Sequence, residues 1–286
     1  FQQTLAGQER VLGSDHLSTM ATRNNLAGAH RKNGDLALAI PLFERILADQ
    51  ERVQGPDYPD TVASRNNLAS VHYEDGNLAL AIALFEQVLA DQERVLGPDH
   101  LNTMVTRNNL AGANRKNGDL ASAIALFQQT LADLERVQGP DHPDTVALRN
   151  NLAGSHRENG DLALAIPLFE RILADQEGLL GPGHPDTVAS RNNLASAHYE
   201  DGNLALAIPL LEQVLADSTR VLGPDDPDPF AARSRLASAH YENGDPALAI
   251  PLLEQIVADS KRVLGPDHPL TLAASEVCRV MRLHQS

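Results

Sequence analysis

A repeat of 42 residues constrains the fold of this chain more than any other feature of its sequence. The pentapeptide RNNLA begins at Arg23, Arg65, Arg107, Arg149 and Arg191, so each copy lies 42 residues from the next. Asn-Gly or Asp-Gly pairs place glycine at the same step, at Gly34, Gly76, Gly118, Gly160, Gly202 and Gly244. Gly-Pro pairs follow the same period from Gly55, Gly97, Gly139, Gly181, Gly223 and Gly265. A register that never slips predicts a stack of one repeated supersecondary unit.

The first half of each repeat carries the signals of a helix, which we name helix A. In the second repeat, Pro59 lies where the first helical position would be, and a missing N–H costs nothing there. Asp60 adds negative charge to the positive end of the helix. Gly76 tolerates the left-handed conformation of a helix stop. Helix A is therefore predicted over about residues 59–74.

The second half of each repeat predicts another helix, helix B. Asn77 is predicted to cap it, and apolar residues follow at gaps of three and four until Gly97 and Pro98 end the pattern. Two antiparallel helices in one hairpin cannot bury both of their apolar faces. Stacked hairpins can, so the sequence predicts an all-α solenoid.

The repeat register divides the whole chain into a single array of about fourteen helices. Helix B of a half-repeat is expected at 1–16, full repeats at 17–58, 59–100, 101–142, 143–184, 185–226 and 227–268, and a terminal helix A at 269–286. Phe1 aligns with Phe43 inside a helix B, so we expect the chain to be a piece of a longer protein. The last segment lacks the Asn-Gly turn and is either a capping helix or an interrupted repeat.

Composition narrows the classes of function. The formal net charge of −15 disfavours nucleic-acid binding, which needs a surplus of Lys and Arg on some face. Cys278 is the single cysteine, which excludes an intrachain disulfide and fits a reducing, cytoplasmic location. No apolar run approaches the roughly 20 residues that span a bilayer, so we expect no membrane partner. A phosphate-binding glycine loop and a nucleophile motif are also missing, so we expect neither an enzyme nor a cofactor.

The residues of the second repeat resemble the tetratricopeptide repeat family. Leu68, Ala69, Gly76, Ala81 and Phe85 fall at the spacing of its signature. The long period, the NNLA core and the LGPDHP linker resemble the arrays of kinesin light chains, and similar arrays with Arg before the Asn pair occur in bacterial signalling ATPases. The chain departs from the signature at two positions, where Arg65 replaces Trp and His72 replaces Tyr.

This resemblance implies a right-handed superhelix of antiparallel helix pairs whose helices A line a concave groove for extended peptides. In the second repeat, Asn66, Ser70, Tyr73 and Glu74 would face that groove. The first asparagine of each pair would then form a ladder along it: Asn24, Asn66, Asn108, Asn150 and Asn192. An amide both donates and accepts, so this ladder could bind a peptide backbone of any sequence. The second asparagine is expected to tie adjacent repeats together, and a purely structural role for both remains the alternative.

Specificity is expected from positions that vary over this constant ladder. The candidates are Arg31, Lys32, Tyr73, Arg115, Lys116, Arg157, Tyr199 and Tyr241, at the end of helix A. Arg31-Lys32 and Arg115-Lys116 make the N-terminal half basic, which predicts a preference for acidic peptide residues there. The alternative is that these side chains form only a solvated face.

Two further rows of polar residues recur with the repeat. Histidines occupy one position in helix A (His30, His72, His156, His198, His240) and one in the linker (His16, His100, His142, His184, His268). Equivalent positions in stacked hairpins are too far apart to share a zinc ion, so we expect helix packing and linker capping and no metal. The arginine before each asparagine pair is expected to pair with a nearby Asp or Glu, for which helix B is the candidate location.

Three hypotheses of function follow from these residues. The first is a non-enzymatic scaffold that binds a protein or an extended peptide through the asparagine ladder. The second is a sensor or autoinhibitory arm of a multidomain nucleotide-binding signalling protein. The third is end-to-end self-association, because apolar faces at the two ends of the array could stack.

Overall fold

A computed structural model describes residues 1–222 and 227–283, and these residues form fourteen α-helices and no strands. The helices are α1 (Gln2–Leu12), α2 (Leu17–Lys32), α3 (Leu36–Val53), α4 (Pro59–Asp75), α5 (Leu78–Val95), α6 (Leu101–Lys116), α7 (Leu120–Val137), α8 (Pro143–Glu158), α9 (Leu162–Leu180), α10 (Pro185–Glu200), α11 (Leu204–Leu222), α12 (Pro227–Glu242), α13 (Pro246–Val263) and α14 (Pro269–Leu283). Even numbers are helices A and odd numbers are helices B. The predicted all-α architecture is therefore confirmed. The linker at Gly223 and the last three residues lie outside the described part of the chain.

The helices divide between two compact units, residues 1–155 and 156–286. In unit 1, α3 packs between α2 and α4, and α5 packs between α4 and α6. In unit 2, α11 and α13 pack in the same way between the helices A on either side of them. In unit 1, α4 and α6 also touch directly. Consecutive helices A thus lie side by side, with the intervening helix B behind them.

Small residues let these helices approach closely. Ala69, Ala81 and Ala113 are completely buried between α4, α5 and α6, where they surround Phe85 and Leu110. In unit 2 the same arrangement joins α10, α11 and α12 around Leu211 and Leu236. Each unit therefore contains a buried apolar cluster in which two consecutive helices A pack against the helix B between them.

Helix A begins as the sequence predicts. Pro59 occupies the first turn of α4, and the linker histidines cap their helices in four other repeats. In each of these the Nδ1 atom accepts a hydrogen bond from the backbone N–H two residues later: His16 at 3.2 Å, His100 at 3.1 Å, His142 at 3.2 Å and His184 at 3.3 Å. Linker capping by this row is confirmed.

The turn between helix A and helix B confirms one prediction and corrects another. Gly76 has a φ of 84°, and its N–H bonds the carbonyl groups of the last turn of α4. Asn77 does occupy the N-cap position of α5, but its side chain makes no capping hydrogen bond. The helix starts there through the backbone instead, because the Asn77 carbonyl accepts from the N–H of Ala81 at 3.1 Å.

Candidate functional site

In four repeats a buried arginine anchors helix A to the two neighbouring helices B. Arg107 is completely buried, and its Nη1 atom lies 2.8 Å from Asp133 of α7. Its Nη2 atom lies 2.9 Å from Glu93 of α5. The same triad recurs in Glu9–Arg23–Asp49, Glu51–Arg65–Asp91 and Glu177–Arg191–Asp217. Pairing of this arginine row with carboxylates on helix B is confirmed, and its burial keeps it away from any ligand.

The sixth repeat carries a reduced version of this anchor. Arg233 donates to Asp259 at 2.7 Å, but Thr219 stands where the other repeats place a glutamate. Arg233 is still buried, with 7% of its surface exposed. One carboxylate is therefore enough to hold the arginine inside the stack.

In unit 1, an exposed arginine near the end of helix B extends the anchor to the linker at Arg52, Arg94 and Arg136. Arg52 donates to Asp49 and to Asp15, and this hydrogen bond lowers the pKa of Asp15 from 3.8 to about 2. Arg94 repeats the arrangement with Asp91 and Asp57, which raise the pKa of the guanidinium. The linkers that precede α2, α4 and α6 are thereby fixed to α3, α5 and α7.

Crevices lie between consecutive helices A, with a helix B as their floor. In unit 1, α6 and α8 enclose about 300 Å³ over α7, between Met104, Asn108 and Asn151. In unit 2, α10 and α12 form the equivalent crevice of about 260 Å³ over α11. This second crevice continues into a space of about 340 Å³ towards the ends of the same helices.

Two members of the predicted asparagine ladder, Asn108 and Asn192, line these crevices. Each first asparagine is half-buried: Asn24, Asn66, Asn108, Asn150 and Asn192. In unit 1, Asn108 of α6 and Asn151 of α8 line the same crevice from opposite sides. A first asparagine and the second asparagine of the next repeat therefore share one space, and the expected division of roles between the two stays a prediction.

At four positions of the ladder the amide oxygen is buried or bonded. The Oδ1 atoms of Asn24, Asn66 and Asn108 are buried and have no hydrogen-bond donor. The Oδ1 atom of Asn192 accepts from Arg235 at 2.8 Å. At these four positions the amide oxygen is turned inward or occupied, which leaves the NH₂ group as the polar part of the side chain that could reach a ligand.

The variable residues at the end of helix A bond to the next helix A. Arg31 donates to Glu74 from Nε at 3.0 Å and from Nη2 at 2.7 Å. The Nζ atom of Lys116 donates to the backbone carbonyl of Tyr73 at 3.0 Å and lies 4.7 Å from the centre of its ring. We call these contacts the inter-helix rungs, since each joins a residue to one 43 positions away.

Unit 2 contains the same rungs with other chemistry. Arg157 lies 3.7 Å from Glu200, and the hydroxyl of Tyr199 donates to Glu242. Burial, together with this hydrogen bond to Glu242, raises the pKa of Tyr199 to about 12. The rungs thus use a cation or a phenol for the same link between adjacent helices.

These rungs alter the interpretation of the basic N-terminal half. The charge of Arg31 is paired within the chain, and the Arg115 guanidinium lies against Gly154, 3.4 Å from the place where a Cβ would stand. Lys32 is exposed, and Tyr241 is half-buried. The predicted preference for acidic residues in this half therefore gains no support from the side-chain contacts.

The helix A histidines pack inside the stack. His72, His156, His198 and His240 are buried, and His30 and His156 lie 3.6 Å and 3.5 Å from Asp35 and Asp161. In residues 1–222 and 227–283, no three His, Cys, Asp or Glu side chains are grouped so that they could hold a metal ion. The expected packing role of this row is confirmed.

Arg235 is the crevice residue that the sequence analysis overlooked. It stands on α12 at the position of the second asparagine, because the sixth repeat reads RSRLA in place of RNNLA. It lines both parts of the crevice between α10 and α12. The departure from the repeat was the signal that could have identified it.

The other features of the described residues are weaker candidates for a functional site. Cys278 is buried, as expected for a small apolar residue, and it lines a cavity between α13 and α14. Across the part of the chain that the structure describes, no helix combines the length and apolar character needed to traverse a bilayer. The crevices between helices A are therefore the candidate site.

Comparison with known proteins agrees with this arrangement. The sequence model of the tetratricopeptide repeat matches five overlapping segments, residues 18–94, 60–136, 106–174, 144–220 and 192–262. A crystal structure from Podosopora anserina, described as a candidate kinesin light chain with nearly identical TPR-like repeats, is 32% identical with a TM-score of 0.65. That match covers 72% of this chain and 97% of the other. No curated protein matches the chain.

More distant structures share the fold alone. BtubC (BKLC) from P. vanneervenii is 19% identical with a TM-score of 0.66, over 82% of this chain and 94% of its own. The C-terminal part of a TPR repeat-containing protein from Cytophaga hutchinsonii is 14% identical with a TM-score of 0.62, over 95% and 92%. Period, helix pairing, packing and sequence match all agree, and the chain belongs to the tetratricopeptide repeat family.

Proposed function

We propose that the chain is a non-enzymatic interaction module that binds an extended polypeptide in the crevices between consecutive helices A. Tetratricopeptide repeat proteins generally mediate protein–protein interactions, and the structural neighbours share the fold. The observation that carries the proposal is the recurrence of half-buried amides on the crevice walls, as at Asn108 and Asn151. A catalytic centre needs its unusual residues once, whereas a surface that binds along a line needs them in every repeat.

The spacing of the crevices suits an extended chain. Packed helices lie about 8–10 Å apart, and an extended peptide advances about 3.3 Å per residue. A peptide that crosses the helices A of one unit would thus meet a new amide pair about every three residues. The outward NH₂ groups of Asn66 and Asn108 would donate to its carbonyl oxygens, because the Oδ1 atoms of both side chains are buried.

The test begins with peptides of random sequence displayed on phage. Peptides that bind the chain are selected, synthesised with a fluorescent label and measured by anisotropy against wild type and the double variant Asn66→Ala, Asn108→Ala. Two lost hydrogen bonds of about 1 kcal/mol each predict a roughly 30-fold weaker affinity. Failure to select any peptide would contradict the proposal.

A matched control separates binding from folding. Asn33 and Asn117 are exposed in the turns after α2 and α6, outside the crevices, so Asn33→Ala with Asn117→Ala removes the same two groups elsewhere. This control should bind as wild type does. Equal binding by both double variants, with unchanged thermal unfolding, would show that the ladder is structural.

The structure argues against end-to-end growth through α14. Every other helix A has a completely buried alanine, such as Ala195 or Ala237, at the position that Arg279 occupies in α14. A further helix B packed there in the usual register would bury a guanidinium beside an apolar surface, at a cost of several kcal/mol. Sedimentation velocity should show a monomer at all concentrations, and reversible growth would restore the self-association hypothesis.

Two expectations stay predictions. The sensor-arm hypothesis concerns sequence beyond this chain, and the cytoplasmic location rests on Cys278 alone. Neither bears on the crevices.

A further inference from the structure

The sixth repeat lacks one of the two carboxylates that hold the buried arginine of helix A. In the five repeats before it, a glutamate 14 positions before the arginine accepts from the Nη2 atom at distances between 2.7 and 2.9 Å. These glutamates are Glu9, Glu51, Glu93, Glu135 and Glu177. Thr219 occupies this position before Arg233. Arg233 keeps its bond to Asp259, and within the described residues no second carboxylate bonds it.

The rest of this anchor keeps the geometry of a complete triad. Arg233 is buried, and its Nη1 atom lies 2.7 Å from Asp259, 26 positions later. Arg107 lies 2.8 Å from Asp133 at the same offset. Helix α12 packs against both α11 and α13. The register is therefore unchanged, and position 219 on α11 corresponds to the place from which the glutamate of a complete triad reaches its arginine.

The hydroxyl of Thr219 is too short to replace that glutamate. It donates instead to the carbonyl of Leu215 in its own helix, at 2.7 Å. A phosphate on this oxygen would restore the reach, because its terminal oxygens lie as many bonds from Cβ as the carboxylate oxygens of glutamate do. Phosphothreonine carries a charge of about −1.5 to −2 at pH 7. Arginine binds phosphate as it binds carboxylate, through two parallel hydrogen bonds.

Thr219 is also the accessible hydroxyl in the last turn of α11. It is half-buried, whereas the neighbouring Ser218 is 5% exposed and donates to the carbonyl of Val214 at 2.6 Å. Terminal turns of helices fray, so a protein kinase can reach Thr219 when this turn opens. A negative charge near a helix C-terminus is unfavourable by itself. The other repeats nevertheless carry glutamate there, because the buried arginine compensates for it.

We propose that Thr219 is a phosphorylation site and that its phosphate completes the triad of the sixth repeat through Arg233. A separate protein kinase supplies the phosphoryl group from a nucleoside triphosphate. The bond between Oγ1 and the γ-phosphorus forms while the bond from that phosphorus to the β-phosphate oxygen breaks. The nucleoside diphosphate leaves, and the hydroxyl proton passes to the catalytic base of the kinase. The modified side chain then ties α12 to α11, so phosphorylation tightens one junction of the array, whether or not a peptide is bound.

The chain with phosphothreonine incorporated genetically at position 219 tests the contact with Arg233. The second ionisation of the phosphate is followed by phosphorus NMR. A neighbouring guanidinium favours the dianion, so we expect the midpoint to lie about one pH unit lower than in free phosphothreonine. Arg233→Gln should remove this shift. Arg235→Asn is the matched control, because it also removes one positive charge from α12 and restores the asparagine of the other repeats, and it should keep the shift.

A second measurement does not depend on the Arg233 variant. Hydrogen exchange reports how often α12 opens. Phosphothreonine at 219 should lower the opening equilibrium constant of α12 about tenfold, since a charge-assisted pair is gained. Thr219→Glu should act in the same direction, because glutamate is the residue of the complete triads. Thr219→Val keeps the shape of the side chain without the hydroxyl and should not slow the exchange.

Mass spectrometry of the chain from its native cells then tests the modification itself, and we expect the phosphate on Thr219. An unmodified Thr219 across growth conditions, or a phosphate on Ser218 instead, would overturn the phosphorylation site. A phosphate midpoint that Arg233→Gln leaves unchanged, or faster exchange of α12 after phosphorylation, would overturn the completed triad. None of these results bears on peptide binding in the crevices, so the interaction module stands or fails separately.

Discussion

Two rows of contacts run along the repeats, and they differ in how much sequence variation they allow. The arginine triads are chemically identical wherever they are complete, as at Arg23 and Arg107. The inter-helix rungs keep one geometry but change their chemistry, from Arg31–Glu74 to Tyr199–Glu242. Both rows join neighbouring helices, yet one is constant and the other varies.

Burial accounts for the difference. A charge that is completely removed from water needs partners of matching geometry, because an unpaired buried charge costs several kcal/mol. A half-exposed side chain keeps part of its hydration, so several residue types can serve in its place. Variation at the end of helix A is therefore no evidence of ligand recognition by itself.

The largest expected effect comes from removing a complete triad. Arg107→Ala removes the buried cation from Glu93 and leaves Asp133 with only the exposed Arg136, and it should lower the free energy of unfolding by about 3–5 kcal/mol. Arg233→Ala should lower it by about 2 kcal/mol, because a single carboxylate, Asp259, loses one bond and keeps the exposed Arg262. Urea unfolding followed by circular dichroism, fitted with a repeat-by-repeat model, measures both losses.

Equal losses for the two variants would contradict the idea that the second carboxylate strengthens the anchor. A loss below about 1 kcal/mol for Arg107→Ala would show that the triad contributes little beyond the packing of its arginine stem. Either result would remove the distinction between the two rows.

A smaller effect is expected at an exposed rung. Glu74→Gln removes the negative charge and one of the two oxygens that Arg31 bonds, and it should cost at most about 1 kcal/mol, with less effect in high salt. Glu200→Gln should cost less, because its distance to Arg157 is already 3.7 Å. Thermal unfolding at two salt concentrations tests the order, and a loss as large as that of a triad would show that exposure does not separate the rows.

The smallest effect concerns the titration of Tyr199. Its pKa is raised from 10.0 to about 12, so the neutral phenol is favoured in the folded chain. The stability that this group contributes is complete below pH 10 and is lost as pH rises through about 12. Absorbance at 295 nm, as the difference between wild type and Tyr199→Phe, should show this midpoint.

Glu242→Gln should lower the midpoint while leaving it above 10.0, because burial is the larger cause of the shift. Tyr241→Phe is the matched control for the loss of one phenol. An unchanged midpoint in Glu242→Gln would show that the rung does not form in solution.

Sequence patterns predicted the helices well, because each boundary had a local cause. Pro59 and Gly76 act through their own backbone geometry, which needs no knowledge of the neighbours. The pairing of Arg107 with carboxylates also followed, since a charged residue at an apolar position must find a counter-charge.

The crevice was harder to predict for a physical reason. The rung from Arg31 to Glu74 depends on the rotation and offset of two stacked helices, and spacing along one helix does not reveal these. The orientation of the amide of Asn108 depends on the same packing. Arg235 could have been identified from the sequence, but only if the departure from RNNLA in the sixth repeat had been treated as informative.

The triads have a consequence for how such a chain can change in length. The two carboxylates of a complete triad lie 14 positions before and 26 positions after the arginine. A triad therefore spans 40 positions, slightly less than one repeat of 42 residues. Duplication or excision of a whole number of repeats leaves the offsets between each arginine and its carboxylates unchanged. The gene can therefore lengthen without compensating substitutions. Insertion of a single residue in a linker would instead misplace a carboxylate for one arginine only, which confines such errors to one junction.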